Sequence, residues 1–187
     1  HLSVSLPSLR IESASVELME ALKDSKRGGF TFAPEAATER MREIINKPVS
    51  TEQLLATTRA VFERGWTHVK LYFMIGLPTE TREDVVGIVE TGARCLGVAR
   101  SLPGRKRPAQ VTCSVSSFVP KPHTPFQWAA MDDMAALAEK QHLLIGLARA
   151  RKVRLKWHDP EVSYLEGVLS RGDRRLGELI ELAYAKG

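Results

Sequence analysis

The feature that most constrains the fold of this chain is the segment 70–80, KLYFMIGLPTE. Five apolar or aromatic residues run without interruption into Gly76, and Leu77 and Pro78 follow at once. A run of this kind predicts a strand buried on both faces, which is typical of parallel sheets. A turn and a helix start come next, and ligands of α/β proteins bind at the carboxyl ends of such strands. We therefore expect the functional site at this edge.

The remaining chain alternates strand-like and helix-like segments, which predicts repeated βα units and a mostly parallel sheet. The predicted strands lie at 2–6, 30–33, 68–75, 111–119 and 153–157, and the first helix spans about 14–25. Ser50 and Gln53 have capping-box spacing, and Thr81, Asp133, Asp159 and Asp173 stand where helices begin. Five strands are too few for an eight-stranded barrel. The predicted fold class is α/β: a partial TIM-like barrel truncated at the N-terminus, with a small helical C-terminal extension.

Composition is that of an ordinary globular protein, with 43% hydrophobic and 26% charged residues among 187. The only cysteines, Cys95 and Cys113, have no spacing that would hold zinc or an iron–sulfur cluster. No apolar run approaches the roughly 20 residues of a membrane-spanning helix, and no secretory signal begins the chain. We expect reduced thiols, no membrane anchor and a cytoplasmic location. Because the chain opens directly on a predicted strand, we expect a fragment of a longer protein.

The net charge is +5, and basic residues cluster at 105–107, 149–156 and 171–175. These clusters could contact a phosphate-rich partner such as RNA, or they could form a solvated surface. The sequence leaves both alternatives open.

Candidate site residues follow the ends of the predicted strands. Glu35 is suited to accept hydrogen bonds from a sugar diol or to cap a helix, and Gly76 permits close approach of a flat ligand or simply a tight turn. Glu80 is predicted to lie at a helix N-terminus rather than on a ligand. Lys121 and Thr124 could bind a carboxylate or phosphate from a proline-rich loop at 120–125.

Other polar residues carry weaker signals. Tyr72 and Met74 alternate with Phe73 and Ile75, so the two pairs face opposite sides of the sheet. Core packing is the favoured role for most of the four. His123 and His158 have no further metal ligand at a suitable spacing. Asp132 and Asp133 precede a helix, which favours capping over catalysis.

Three segments together resemble radical S-adenosylmethionine (SAM) enzymes: TFAPEA at 31–36, KLYFMIGLPTET at 70–81 and FVPKPHTPFQW at 118–128. Within that superfamily the chain looks most like the branch that joins a cobalamin-type binding domain to the barrel. That branch is related to the Elongator catalytic subunit and the tRNA methylthiotransferases. The resemblance covers nearly the whole chain, including the segment 170–175.

The resemblance implies a (β/α)6 barrel in which a [4Fe-4S] cluster cleaves SAM to a 5′-deoxyadenosyl radical. It assigns residues 1–150 to the C-terminal part of that barrel and 151–187 to a helical extension. A cobalamin cofactor and an RNA substrate are possible implications. The SAM-binding residues that it implies are Arg10, Glu35, Tyr72, Met74, Gly76, Leu77, Pro78, Ser117, Val119, Pro120, Lys121 and Thr124.

One departure from the family limits what this chain can do. The CxxxCxxC cluster loop is absent, and the family pattern places it upstream of residue 1. We therefore expect the fragment to be inactive, and we expect its strand at 2–6 to be an unpaired edge that promotes self-association. Two rival interpretations are an RNA-binding or non-catalytic barrel module that uses residues 105–107, and an ordinary barrel enzyme, for which no acid/base pair is evident.

Overall fold

The structure, a computed structural model, describes residues 29–104 and 107–187. Several predictions fall outside these residues: the strand at 2–6 with its proposed self-association, the helix at about 14–25, Arg10, Arg105 and Lys106. The described part contains four strands, β1 (Phe30–Glu35), β2 (His68–Ile75), β3 (Gln110–Ser117) and β4 (Arg154–Trp157). Its helices are α1 (Glu39–Ile44), α2 (Thr51–Glu63), α3 (Arg82–Ser101), α4 (Met134–Arg151), α5 (Pro160–Arg171) and α6 (Leu176–Lys186).

The four strands form one parallel sheet in the order β1-β2-β3-β4, with helices between successive strands. The β2–β3 register runs unbroken from His68↔Gln110 to Ile75↔Ser117. Strands that follow chain order without reversal are those of a barrel-type sheet. The predicted fold class, an α/β partial TIM-like barrel, is therefore confirmed. Strand β4 belongs to this sheet although it lies beyond residue 150, and the domain boundary there stays a prediction.

The sheet has two unlike faces. Alternate residues of β2, from Val69 to Ile75, are buried against α2, α3 and α4 in the main hydrophobic core. We call the opposite surface the inner face, and its β2 residues are only partly buried. The prediction that β2 is buried on both faces is thus wrong, because its inner-face residues are only partly buried. Because Tyr72 and Met74 count as apolar residues, the sequence did not show the alternation of buried and partly buried residues along β2.

Helix starts follow the predicted capping chemistry in most cases. Ser50 and Gln53 form the predicted capping box, and Thr81 caps α3. Asp133 caps α4, and Asp159 caps α5 ahead of its first-turn proline. The prediction for Asp173 is wrong, because α6 begins at Leu176 and the Asp173 carboxylate accepts from Arg175 N–H instead.

Two strand ends also differ from the predictions. Strand β1 continues through Pro34 to Glu35, where its register with β2 shifts, and β3 ends at Ser117 rather than at 119. The C-terminal helices leave apolar side chains exposed, among them Leu165 of α5 and Ile180 of α6. Within residues 29–104 and 107–187, none of the helices has the length and apolar character needed to traverse a bilayer.

Candidate functional site

A cleft of about 850 Å³ opens at the carboxyl ends of β1, β2 and β3. Its walls come from these strand ends and the segments after them, from residues 45–49, and from helix α5. The volume lies in the range of pockets for cofactor-sized ligands, which is roughly 300–1,000 Å³.

Seven of the predicted site residues line this cleft: Glu35, Met74, Leu77, Ser117, Val119, Lys121 and Thr124. Four others, Tyr72, Gly76, Pro78 and Pro120, are not part of its lining, and Arg10 lies outside the described residues. The loops after three successive strands therefore converge on one cavity. Whether the seven residues bind a ligand stays a prediction.

Glu35 takes an uncommon backbone conformation at the end of β1. Its φ is 65°, in the left-handed region, which costs a non-glycine residue about 1–2 kcal/mol. The side chain accepts from Lys47 Nζ at 2.9 Å, and both side chains are partly exposed in the cleft. Glu35 does not cap α1, because the Thr38 hydroxyl accepts from Met41 N–H there. The capping alternative for Glu35 is therefore wrong.

Gly76 begins the turn that places Leu77 in the cleft wall. Its φ of 82° lies in the left-handed region, and a Cβ at this position would stand 3.0 Å from Asp132 Oδ2. The Glu80 carboxylate accepts from Gly76 N–H at 2.9 Å. The Glu80 carboxylate therefore stabilises the turn. Thr81 and Asp84, rather than Glu80, cap the start of α3.

Lys140 of α4 completes this arrangement. Its ammonium donates to Glu80 Oε2 and to Asp132 Oδ2, each at 2.6 Å. Burial lowers the pKa of Lys140, but the bonds to the two carboxylates outweigh burial and hold the pKa above its ordinary value. The network of Gly76, Glu80, Asp132 and Lys140 fixes the β2 turn to helix α4.

The proline-rich loop after β3 forms another wall. Lys121 pairs with Glu166 of α5, and Thr124 Oγ1 donates to Lys121 C=O at 2.7 Å. The Phe118 and Phe126 rings meet edge to face with centroids 5.9 Å apart. The loop therefore presents one ion pair beside an apolar surface.

Ser117 is the clearest unsatisfied group in the cleft. The residue is 8% exposed, its hydroxyl is buried, and that hydroxyl has no hydrogen-bond partner among the described residues. A buried polar group without a partner costs about 1–3 kcal/mol. Most buried polar groups have such a partner, so Ser117 is an exception among the residues that line the cleft.

The two cysteines lie away from the cleft. Cys95 in α3 and Cys113 in β3 are both fully buried and free. Burial raises the pKa of the Cys95 thiol to about 11 and raises that of Cys113 further. In the part of the chain that the structure describes, no three His, Cys, Asp or Glu side chains are grouped to hold a metal ion.

Sequence reasoning missed several residues that shape the cleft. Lys47 and Glu166 pair with the predicted Glu35 and Lys121, but each partner is distant in sequence and no local pattern marks it. His158 lines the cleft too, where its backbone N–H extends the ladder to Val115 C=O. Residues 154, 156 and 158 are spaced by two along the chain, and this spacing was the sequence signal that places His158 on the same face as Arg154 and Lys156.

The chemistry of the cleft suits a zwitterionic ligand with a flat apolar part. Two lysine–glutamate pairs offer donors and acceptors of both charges, and the Ser117 hydroxyl adds a further polar group. Met74, Leu77 and Phe126 supply an apolar surface.

Two comparisons with known proteins give similarities for this chain. Residues 1–92 match the Radical SAM superfamily, and the structure describes 29–92 of them. The chain is also similar to the uncharacterized protein MJ0966 of Methanocaldococcus jannaschii, with 30% identity over 179 residues that cover 95% of this chain. They cover 37% of that relative, so the chain spans little more than a third of its length. Residues 1–92 thus correspond to a Radical SAM superfamily domain.

Proposed function

We propose that the cleft binds SAM and that this chain forms the SAM-orienting part of a radical SAM enzyme. The observation that carries the proposal is one cleft at the carboxyl ends of three strands that holds two lysine–glutamate pairs beside an apolar wall. The superfamily match over residues 1–92 supports the same ligand.

Each part of SAM has a chemical counterpart in the cleft. The aminocarboxylate end carries one positive and one negative charge, which the pairs Lys47–Glu35 and Lys121–Glu166 can complement. The ribose hydroxyls suit Glu35 and Ser117 as hydrogen-bonding partners. The adenine ring suits the apolar wall of Met74, Leu77 and Phe126.

A [4Fe-4S] cluster does not fit the residues of this chain. A cluster iron requires cysteine thiolates, whereas the sequence contains two cysteines, and both are fully buried with strongly raised thiol pKa values. In this proposal the chain binds and orients SAM, and by itself it does not cleave SAM. The substrate, the use of cobalamin and the relation to the Elongator-like branch stay predictions.

Isothermal titration of the full chain with SAM tests the proposal. Replacing Ser117 with alanine should weaken SAM binding about tenfold, because a hydrogen bond of about 1 kcal/mol or more is lost. The same change removes an unsatisfied buried hydroxyl, so the free chain should be unchanged or slightly more stable to urea. A merely structural serine would show the opposite pattern.

Glu35→Gln is the second variant, and it should weaken SAM binding about tenfold or more through loss of a charged hydrogen bond. Glu90→Gln is its matched control, because Glu90 also pairs with a cation, Arg151, on the protein surface away from the cleft. Failure of SAM to bind, or equal affinity for all three variants and the parent chain, would overturn the proposal.

A further inference from the structure

The inner face of the sheet carries an unusual set of side chains below the cleft. The row nearest the carboxyl ends, which includes Met74 and Ser116, lines the cleft itself. The rows beneath it are polar. By register, Lys70 of β2 lies opposite Thr112 of β3, and Thr112 lies opposite Arg154 of β4. One row higher, the inner-face positions across the same strands are Tyr72, Ser114 and Lys156.

Three cations on this face, Lys70, Arg154 and Lys156, have no carboxylate partner among the described residues. Lys70 Nζ donates instead to Tyr72 Oη at 2.7 Å and lies over its ring. Some cations elsewhere are paired, as Lys140 is with Glu80 and Arg151 with Glu90. The inner-face positions of β2, β3 and β4 contain no aspartate or glutamate.

The three cations form one cluster rather than three separate charges. Burial is the largest cause of the lowered pKa of His68, and the charges of Arg154, Lys156 and Lys70 lower it further. The strand register places the three on adjacent rows of one face, with Lys70 two strands away from Arg154 and Lys156. Strand β3 runs between Lys70 and the two β4 cations and carries only hydroxyl side chains there, at Thr112 and Ser114.

We infer that the inner face below the cleft binds a phosphate group of the substrate, held by Lys70, Arg154 and Lys156. This inference rests on the proposed function in one respect, because it takes the substrate to be the molecule that reacts beside SAM. Neighbouring strands are about 4.8 Å apart, so Lys70 and Arg154 flank a strip about 10 Å wide over β3. Long flexible side chains from both sides can converge on one anion across that strip.

A phosphate fits this cluster better than a single carboxylate does. A phosphate monoester, such as a terminal phosphate of a nucleotide or an RNA, carries a charge of about −1.5 to −2 at neutral pH and three strong acceptor oxygens. Three cations with no acidic residue between them match that charge, whereas one carboxylate would leave most of the positive charge uncompensated. The distance of the cluster from the cleft, one to two rows of the same strands, fits a substrate that spans both.

The test is titration of the full chain with inorganic pyrophosphate at an ionic strength of about 0.15 M, where the Debye length is about 8 Å. The variant Arg154→Gln/Lys156→Gln should bind pyrophosphate at least about tenfold more weakly, because charge-assisted hydrogen bonds are lost. The matched control is Arg94→Gln/Arg100→Gln, which removes the same charge from exposed positions of α3, on the other face of the sheet. Its affinity should change less than about twofold, since distant exposed charges are screened.

Equal weakening in both double variants would overturn the inference, because the effect would then be a general one of net charge. Malonate bound as tightly as pyrophosphate would also overturn it. Circular dichroism checks folding, and Lys70→Gln on β2 serves as an independent variant if the β4 changes unfold the chain. Lys70→Gln should weaken pyrophosphate binding by a similar factor.

Two further arms identify the source of the phosphate. Tighter binding of tRNA than of pyrophosphate, lost in Arg154→Gln/Lys156→Gln, assigns the group to RNA. Equal affinities of a mononucleotide and tRNA assign it to a small phosphate ester. SAM binding measured in the same variants should be unchanged. If the parent chain binds pyrophosphate but does not bind SAM, only the proposed function is disproved.

Discussion

Replacing Lys140 with methionine should destabilise the chain more than any exposed ion pair can account for. Lys140 joins two carboxylates, one from the β2 turn and one from the segment before α4. The Glu80 side chain is 4% exposed and that of Lys140 is 23% exposed. Without the ammonium, the buried Glu80 carboxylate keeps Gly76 N–H as its remaining described donor and faces Asp132 without compensation.

The magnitude follows from how deeply each partner is buried. Removing one member of a fully buried ion pair costs about 3–5 kcal/mol, whereas exposed pairs contribute about 0–1 kcal/mol. Asp132 is 28% exposed, so water screens its part of the network. We therefore expect Lys140→Met to lower the free energy of unfolding by about 2–3 kcal/mol.

Urea denaturation followed by circular dichroism measures this change, with Arg151→Met as the matched control. Arg151 lies on the same helix and pairs with Glu90, but both side chains are about half exposed. The control should cost less than about 1 kcal/mol. A cycle with Glu80→Gln should give a coupling energy of about 1–2 kcal/mol. If Lys140→Met costs no more than Arg151→Met, the network does not hold the turn and this reasoning is wrong.

Three further outcomes are expected. Gly76→Ala should lower stability by about 2 kcal/mol in urea melts, because alanine is strained at positive φ and its Cβ would approach Asp132. Burial raises the pKa of Asp84, but hydrogen bonds from Thr38, Thr81 and Arg40 outweigh it and hold the pKa below 3.8. The contribution of Asp84 to stability should therefore be present above pH 3.8 and lost as the pH falls through the folded pKa, and acid titration should be less steep for Asp84→Asn. Burial raises the pKa of Cys95 to about 11 and raises that of Cys113 further. A thiol reagent at pH 8 should therefore label the folded chain far more slowly than the urea-unfolded chain. Equal labelling rates would contradict the burial of the two cysteines.

Local signals were enough to predict the sheet and most helix starts. The run 71–75, the capping spacings at Ser50 and Thr81 and the glycine at 76 act over a few residues, and each has one dominant structural outcome. Parallel connectivity then placed the loops after successive strands at one edge, which is how Glu35, Leu77 and Lys121 came together.

The pairing of charges could not be predicted in the same way. Lys140 reaches Glu80 across 60 positions, and Lys121 reaches Glu166 across 45. Such partners are chosen by tertiary packing, and a sequence rich in both charges offers many alternatives. The polar inner face, in contrast, left a signal in the sequence: Thr112, Ser114 and Ser116 alternate with the apolar residues of β3, although Thr112 and Ser114 are themselves buried.

Backbone strain in this chain is concentrated where strands end at the cleft. Among the described residues, three non-glycine residues with positive φ follow three successive strands: Glu35, Thr79 and His123. The other two, Asn46 and Lys152, follow helix ends, where the left-handed conformation is common. Thr79 is the third residue of a turn that the Glu80 N–H to Leu77 C=O hydrogen bond closes, and it follows a proline as the positive-φ residue of a type II turn does. For a β-branched residue the conformation is still uncommon. Each costs about 1–2 kcal/mol, and the core between the sheet and helices α2 to α4 must offset that cost. Glu35 lines the cleft whereas Thr79 and His123 do not, so the strain at Glu35 is the part that bears directly on the shape of the cavity.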